Sequence, residues 1–110
     1  MSHDQLGFFE EQILTMVAIL GDHAYGNAIV EEIKSHLDKT VNLSSVHVTL
    51  YRLEDKGLVK SELGGATATR GGRRKRIFSI TSAGISVLRS LKESREQLWN
   101  LIPQLKFYPI

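Results

Sequence analysis

Two groups of side chains in this sequence are spaced to do chemistry. Between Arg70 and Arg76, five cationic residues (Arg70, Arg73, Arg74, Lys75, Arg76) crowd beside the Gly71 and Gly72 pair. Upstream, Ser44, Ser45, His47, Val48, Thr49 and Arg52 fall within one stretch of nine residues. Clustered arginine and lysine attract polyanions, because each phosphate they neutralise releases condensed counterions. Hydroxyls, an imidazole and methyl-bearing side chains are the groups that meet base edges: imidazole donates to a purine acceptor, and a valine or threonine methyl meets the thymine methyl. Catalytic chemistry is not indicated. His3, His23, His36 and His47 are scattered, no HExxH or phosphate-binding loop is present, and no nucleophile is paired with a base, so the sequence reads as a non-enzyme. The chain has no cysteine, which excludes disulfides and thiolate metal sites, and no metal or cofactor is implied.

The elements that must position these residues follow from periodicity. Ser44 is a favoured N-cap type, and Val46, Leu50 and Leu53 then recur at intervals of four and three, predicting a short amphipathic helix that Gly57 ends. Leu58, Val59 and Leu63 form one strand-like run, and Ile77, Phe78 and Ile80 a second that returns antiparallel after the Gly64 to Gly72 loop. A cationic hairpin tip beside a helix of groove-reading dimensions looks like the wing of a winged helix. With Val46, Leu50 and Leu53 inward, the opposite helix face carries Ser45, Val48, Thr49 and Arg52, flanked by His47 and Tyr51. Ser44 and Ser45 then offer hydroxyls and backbone amides to a phosphate, which the helix dipole favours. His47, Val48 and Thr49 are the candidates for base contacts. Arg52 either holds a phosphate, the preferred reading, or pairs with guanine; an i to i+3 pair with Asp55, worth only a few tenths of a kcal/mol on an exposed helix, would not hold it away from DNA. Strand side chains alternate, so either Arg74 and Arg76 or Arg73 and Lys75 face the duplex together.

Leu6 to Leu20 predicts a first helix stopped at Gly21, with Phe9, Ile13, Leu14, Val17 and Leu20 at helical spacing and Phe8 and Met16 widening its apolar face. Such width predicts burial on two sides, with Phe9 and Ile13 contributing to a second subunit as well as to the domain. After the GDHAYG turn, Gly26 to Leu37 is a second amphipathic helix. Tyr25 is either a core aromatic with a wet hydroxyl or a hydrogen-bond donor to a DNA phosphate. Val41 and Leu43 are expected to pair as a short strand with the hairpin. Thr81 is an N-cap for a long helix from Ser82 to about Leu101, some 30 Å at 1.5 Å per residue, which Pro103 stops. Leu88, Leu91, Arg95, Leu98 and Ile102 alternate three and four apart like a coiled-coil seam, and with Trp99 they predict a homodimer. Phe8 and Trp99 either line a pocket for a small aromatic effector or pack in the interface.

With 110 residues and 42% hydrophobic content, the chain makes one domain with an appended helix: residues 1–81 the DNA-binding domain, 82–102 the dimerisation helix and 103–110 a tail. The fold class is mainly α with a small β-hairpin (α+β), a winged helix-turn-helix. Ser44 to Ser79 holds eight Lys or Arg against three acids, net +5, whereas the whole chain is only +2. Charge polarised in this way makes a basic face. The start, MSHDQLGFFEEQ, is acidic where a signal peptide is basic, and the longest apolar run, Met16 to Leu20, falls far short of the ~20 residues of a membrane span, so a cytoplasmic protein without membrane attachment is expected.

Three blocks carry a resemblance that spans Phe9 to about Trp99. They are the AYG turn at Ala24 to Gly26, the pattern VxxTLxRLExKGLV from Val46 to Val59, and GGRRKRIFSITSAG from Gly71 to Gly84. The sequence resembles the PadR family of bacterial transcriptional regulators. That resemblance implies a winged helix-turn-helix with a C-terminal dimerisation helix, and binding to operator duplex DNA as a homodimer, usually in repression and in some members relieved by a small ligand. Ser44 stands where many members have Gly, and His47 where they commonly have Tyr. Because His47 lies on the expected reading helix, the DNA sequence preference does not carry over. A winged helix that serves only protein association is the alternative of a different class.

Overall fold

The computed structural model describes residues 6–64 and 75–103. Four helices and one hairpin follow in order: α1 (Phe8–Leu20), a single 3₁₀ turn at Gly21–His23, α2 (Gly26–Leu37), α3 (Leu43–Asp55), β1 (Val59–Leu63), β2 (Arg76–Ile80) and α4 (Ser82–Asn100). The core draws Ile13, Leu14 and Val17 from α1, Ile29 and Ile33 from α2, and Val46, Leu50 and Leu53 from α3, closed by Leu58, Val59, Phe78 and Val87. Helix α1 lies at its centre, in contact with α2, α3, α4 and β2. Ile13 is therefore fully buried within its own chain, which corrects its assignment to a subunit interface.

Local chemistry sets the ends of α3. Asn42, not Ser44, is the N-cap: its side-chain oxygen accepts from the Ser44 amide at 2.7 Å and the Ser45 amide at 3.3 Å, so the helix begins earlier than expected. At the other end Gly57 takes φ 78°, a conformation that costs residues with a Cβ, and reverses the chain. The Leu58 amide donates to the Leu53 carbonyl at 3.0 Å and the Gly57 amide to that of Glu54 at 2.9 Å, the paired bonds of a Schellman motif. The chain thus leaves α3 directly into β1.

Strands β1 and β2 pair antiparallel with Val59 opposite Ile80, Ser61 opposite Phe78 and Leu63 opposite Arg76. Phe78 fills the core and meets the Tyr51 ring edge to face at 5.8 Å, holding the hairpin against α3. The expected strand at Val41 and Leu43 does not form, because Leu43 opens α3 and Val41 packs half-buried on the core. The Phe78 amide donates instead to the Ala24 carbonyl at 2.8 Å.

Thr81 caps α4 as its residue type predicts, accepting from the Gly84 amide at 3.1 Å and donating to the Gly57 carbonyl at 2.8 Å. Gly84 is pressed against the hairpin: a Cβ there would lie 2.3 Å from the Leu58 carbonyl oxygen. Val87, Leu88 and Leu91 pack on the core, and α4 then runs past it with every residue from Lys92 onward exposed. Among the described residues no single helix is long and apolar enough to cross a membrane.

Candidate nucleic-acid interface

The outward face of α3 presents Ser44, Ser45, Val48, Tyr51 and Arg52 to solvent. Val48 is 51% exposed at its centre. Ser44, Ser45, Val48, Thr49 and Arg52 line an open concavity together with Phe9 of α1. Among the described residues Arg52 forms no ion pair, with Asp55 or any other acid.

Two expectations for this face need correction. Thr49 is only 4% exposed. It lies three residues after Val46 and four before Leu53, which places it on the buried stripe and not opposite it, so it is not available as a base contact. The Ser44 and Ser45 amides are occupied by Asn42, which leaves the hydroxyls as the groups these serines can offer. Asn42 itself went unread because NLSS offers several capping residues in a row.

His47 is half-buried. Its Nε2 lies over Gly26, where an added Cβ would come within 2.5 Å, and its ring is 6.5 Å from that of Tyr51. Gly26 thereby lets α2 approach α3 closely and fixes the angle of the helix-turn-helix. Tyr25, one residue before, is half-buried with its ring under the Lys75 ammonium, Nζ lying 4.1 Å from the ring centroid. Arg76 turns to the other side of the hairpin. Its Nη1 donates to Ser61 Oγ at 3.0 Å, and Ser61 Oγ donates to Glu54 Oε2 at 2.8 Å, tying β2 through β1 to α3. Lys75 and Arg76 therefore face opposite ways, as strand alternation requires. Arg73 and Arg74 lie outside the described residues.

A second polar cluster braces α3 from behind. Glu10 accepts from Lys56 Nζ at 3.0 and 3.1 Å and from the Gly7 amide at 3.0 Å. Burial pushes the Glu10 carboxyl up, but the Gly7 amide, the Lys56 ammonium and the Arg52 charge outweigh it, so the group titrates below the ordinary carboxylate value. Its neighbour Glu11 receives both guanidinium nitrogens of Arg95 from α4. Arg95 is thus fastened to its own α1. Phe9, Leu88 and Leu91, also expected at a subunit interface, pack half-buried on their own core, whereas Leu98, Trp99 and Ile102 stand exposed. Phe8 and Trp99 stand 69% and 63% exposed.

A helix-turn-helix whose second helix faces outward, followed by a two-stranded hairpin with a basic stem, defines a winged helix-turn-helix protein. Residues 16–90 match the Transcriptional regulator PadR-like family, and the chain belongs to that family. Among solved structures, a PadR-like transcription factor from Bacteroides fragilis is 21% identical with a TM-score of 0.75, the match covering 90% of each chain. A transcriptional regulator from Clostridium thermocellum is 27% identical with a TM-score of 0.69 over 89% of each chain. The Bacillus subtilis PadR, whose structure was determined in complex with operator DNA, is 20% identical with a TM-score of 0.65, covering 77% of this chain and 47% of that one. No curated protein sequence matches this chain. The PadR-like assignment makes the protein a DNA-binding transcriptional regulator and not an enzyme.

Proposed function

We propose that this regulator acts in the cytoplasm as a homodimer on a palindromic operator, as a repressor. The observation that carries the reading is the outer face of α3, where Val48 and Arg52 stand exposed to solvent while Val46, Leu50 and Leu53 hold the opposite face in the core. The Bacillus subtilis relative bound to operator DNA supports the same use of the fold. In this reading α3 enters the major groove. Val48 and the exposed part of His47 meet base edges, and the Ser44 and Ser45 hydroxyls and Arg52 hold phosphates. The wing, with Arg73 and Arg74 beyond a stem held by Lys75 and Arg76, lies along the adjacent minor groove or its phosphates. Two protomers joined through the ends of their α4 helices place their reading helices about 34 Å apart, one turn of duplex.

Selection of bound fragments from the organism's own DNA by the purified protein tests this. Enrichment of an inverted repeat with half-sites one turn apart is expected, and His47→Ala should change the enriched sequence. Recovery of fragments with no shared sequence would reject specific readout and favour a winged helix used only for protein association. The exposed Phe8 and Trp99 give the effector alternative no support.

A further inference from the structure

Tyr25 stands where three elements meet. Its backbone is extended at φ −117° as the N-cap of α2. The residue after it, Gly26, lies against the His47 imidazole on α3, and the residue before it, Ala24, accepts the Phe78 amide of β2. The position of Tyr25 is therefore set from both sides by buried contacts. Over its ring lies the ammonium of Lys75, immediately before β2, with Nζ 4.1 Å from the centroid. At that distance the ring quadrupole attracts the cation. The backbone at Lys75 is fixed as well, because its carbonyl accepts the Gly64 amide at 2.7 Å and closes the stem of the hairpin.

A two-stranded ribbon has little stability of its own and takes its direction from what its faces touch. Phe78 anchors the near end of this ribbon in the core. At the far end, where the basic loop begins, Arg76 is tied through Ser61 to Glu54 on one face, and Lys75 rests on Tyr25 on the other. The two stem cations thus grip opposite sides of the hairpin.

We propose that the Tyr25 ring is a positioning surface for the wing: by clamping Lys75 it fixes the angle at which the hairpin leaves the domain beside α3. Lys75 then aims the wing and does not spend its charge on a phosphate. The effect on affinity rests on the DNA-binding reading above, whereas the clamp is a property of the free protein.

The two parts are tested separately. In the free protein, the Lys75 side-chain methylene protons should resonate upfield under the ring current of Tyr25. The shift should persist in Tyr25→Phe and vanish in Tyr25→Leu. On a duplex selected from genomic fragments, Tyr25→Leu and Lys75→Met should each weaken binding about two- to five-fold, the range for a partly exposed cation–π contact. The double variant should be no weaker than either, Lys75→Arg should bind like the parent, and Lys75→Met should leave the dependence of log K on log salt unchanged. Unshifted Lys75 methylenes in the parent protein, additive losses, or a salt slope flattened by roughly two units in the dimer, as for a phosphate contact in each protomer, would overturn the proposal. Shifted methylenes in a protein that binds no duplex would sustain the clamp and reject the DNA-binding reading instead.

Discussion

At the scale of single residues, α3 separates side chains open to solvent from side chains that hold the fold. Thr49 and Val48 are neighbours, yet one is sealed in the core stripe and the other stands at the middle of the outer face. Thr49→Val preserves shape and should leave the enriched operator sequence unchanged, whereas Val48→Ala should relax the preference at a single base pair per half-site. Repeating the fragment selection with both variants checks this. Asn42 holds without reading. Removing its cap with Asn42→Ala frees the Ser44 and Ser45 amides and should lower stability by about 1 kcal/mol, measured by urea denaturation. Much of this scale was legible in the sequence, since Val46, Leu50 and Leu53 define the buried stripe. The chemistry of Thr49 points outward, but its intervals from Val46 and Leu53 put it on the buried stripe. Asn42 was passed over because the adjacent serines cap equally well by type.

At the scale of elements, turn chemistry was the most readable feature. Gly57 marks the end of α3 and Thr81 the start of α4, and the structure uses both residues to join α3, β1 and α4. The close approach at Gly84 was not readable, because nothing local shows that Leu58, far back in the chain, would lie beneath it. Gly84→Ala would force a Cβ onto the Leu58 carbonyl and should cost about 1–3 kcal/mol of stability, seen as a lower thermal midpoint. The brace between α1 and α3 is likewise a long-range product of folding. Glu10 has a folded pKa below its unfolded value, so the stability it contributes is complete above the ordinary carboxylate pKa and is lost as pH falls from there through the folded value. Glu10→Gln should therefore be less stable than the parent at neutral pH, with the difference closing in acid. Denaturation midpoints measured from pH 7 down to pH 3 check the sign.

At the scale of the whole molecule, the shape is extended. The radius of gyration is 16.6 Å and the principal extents are 58 × 33 × 20 Å. A compact chain of about 100 residues has a radius near 13 Å. The excess reflects the outer half of α4, which passes beyond the core after Arg95 is fastened to Glu11. It carries Leu98 and Trp99, and Leu101 and Ile102 follow directly after its end, all exposed. An apolar surface of that kind on a projecting helix is suited to a second copy of the chain. The heptad-like spacing from Leu88 to Ile102 points to a single seam, whereas in the folded chain Leu88 and Leu91 pack partly on the domain's own core and Leu98 and Ile102 stand exposed. Sequence periodicity alone does not separate these uses, since both demand the same stripe. Leu98→Glu should give monomers in sedimentation while leaving helical content unchanged.

The regulator reading meets its most direct test in a salt titration of the full chain on its selected duplex and on a scrambled duplex of the same length. If paired α3 helices and wings neutralise about eight phosphates, log K on the selected duplex should fall with log salt at a slope near −7. The scrambled duplex should bind more weakly at every salt concentration, and Leu98→Glu should roughly halve the slope. A flat salt dependence, or equal affinity for the two duplexes, would contradict the account.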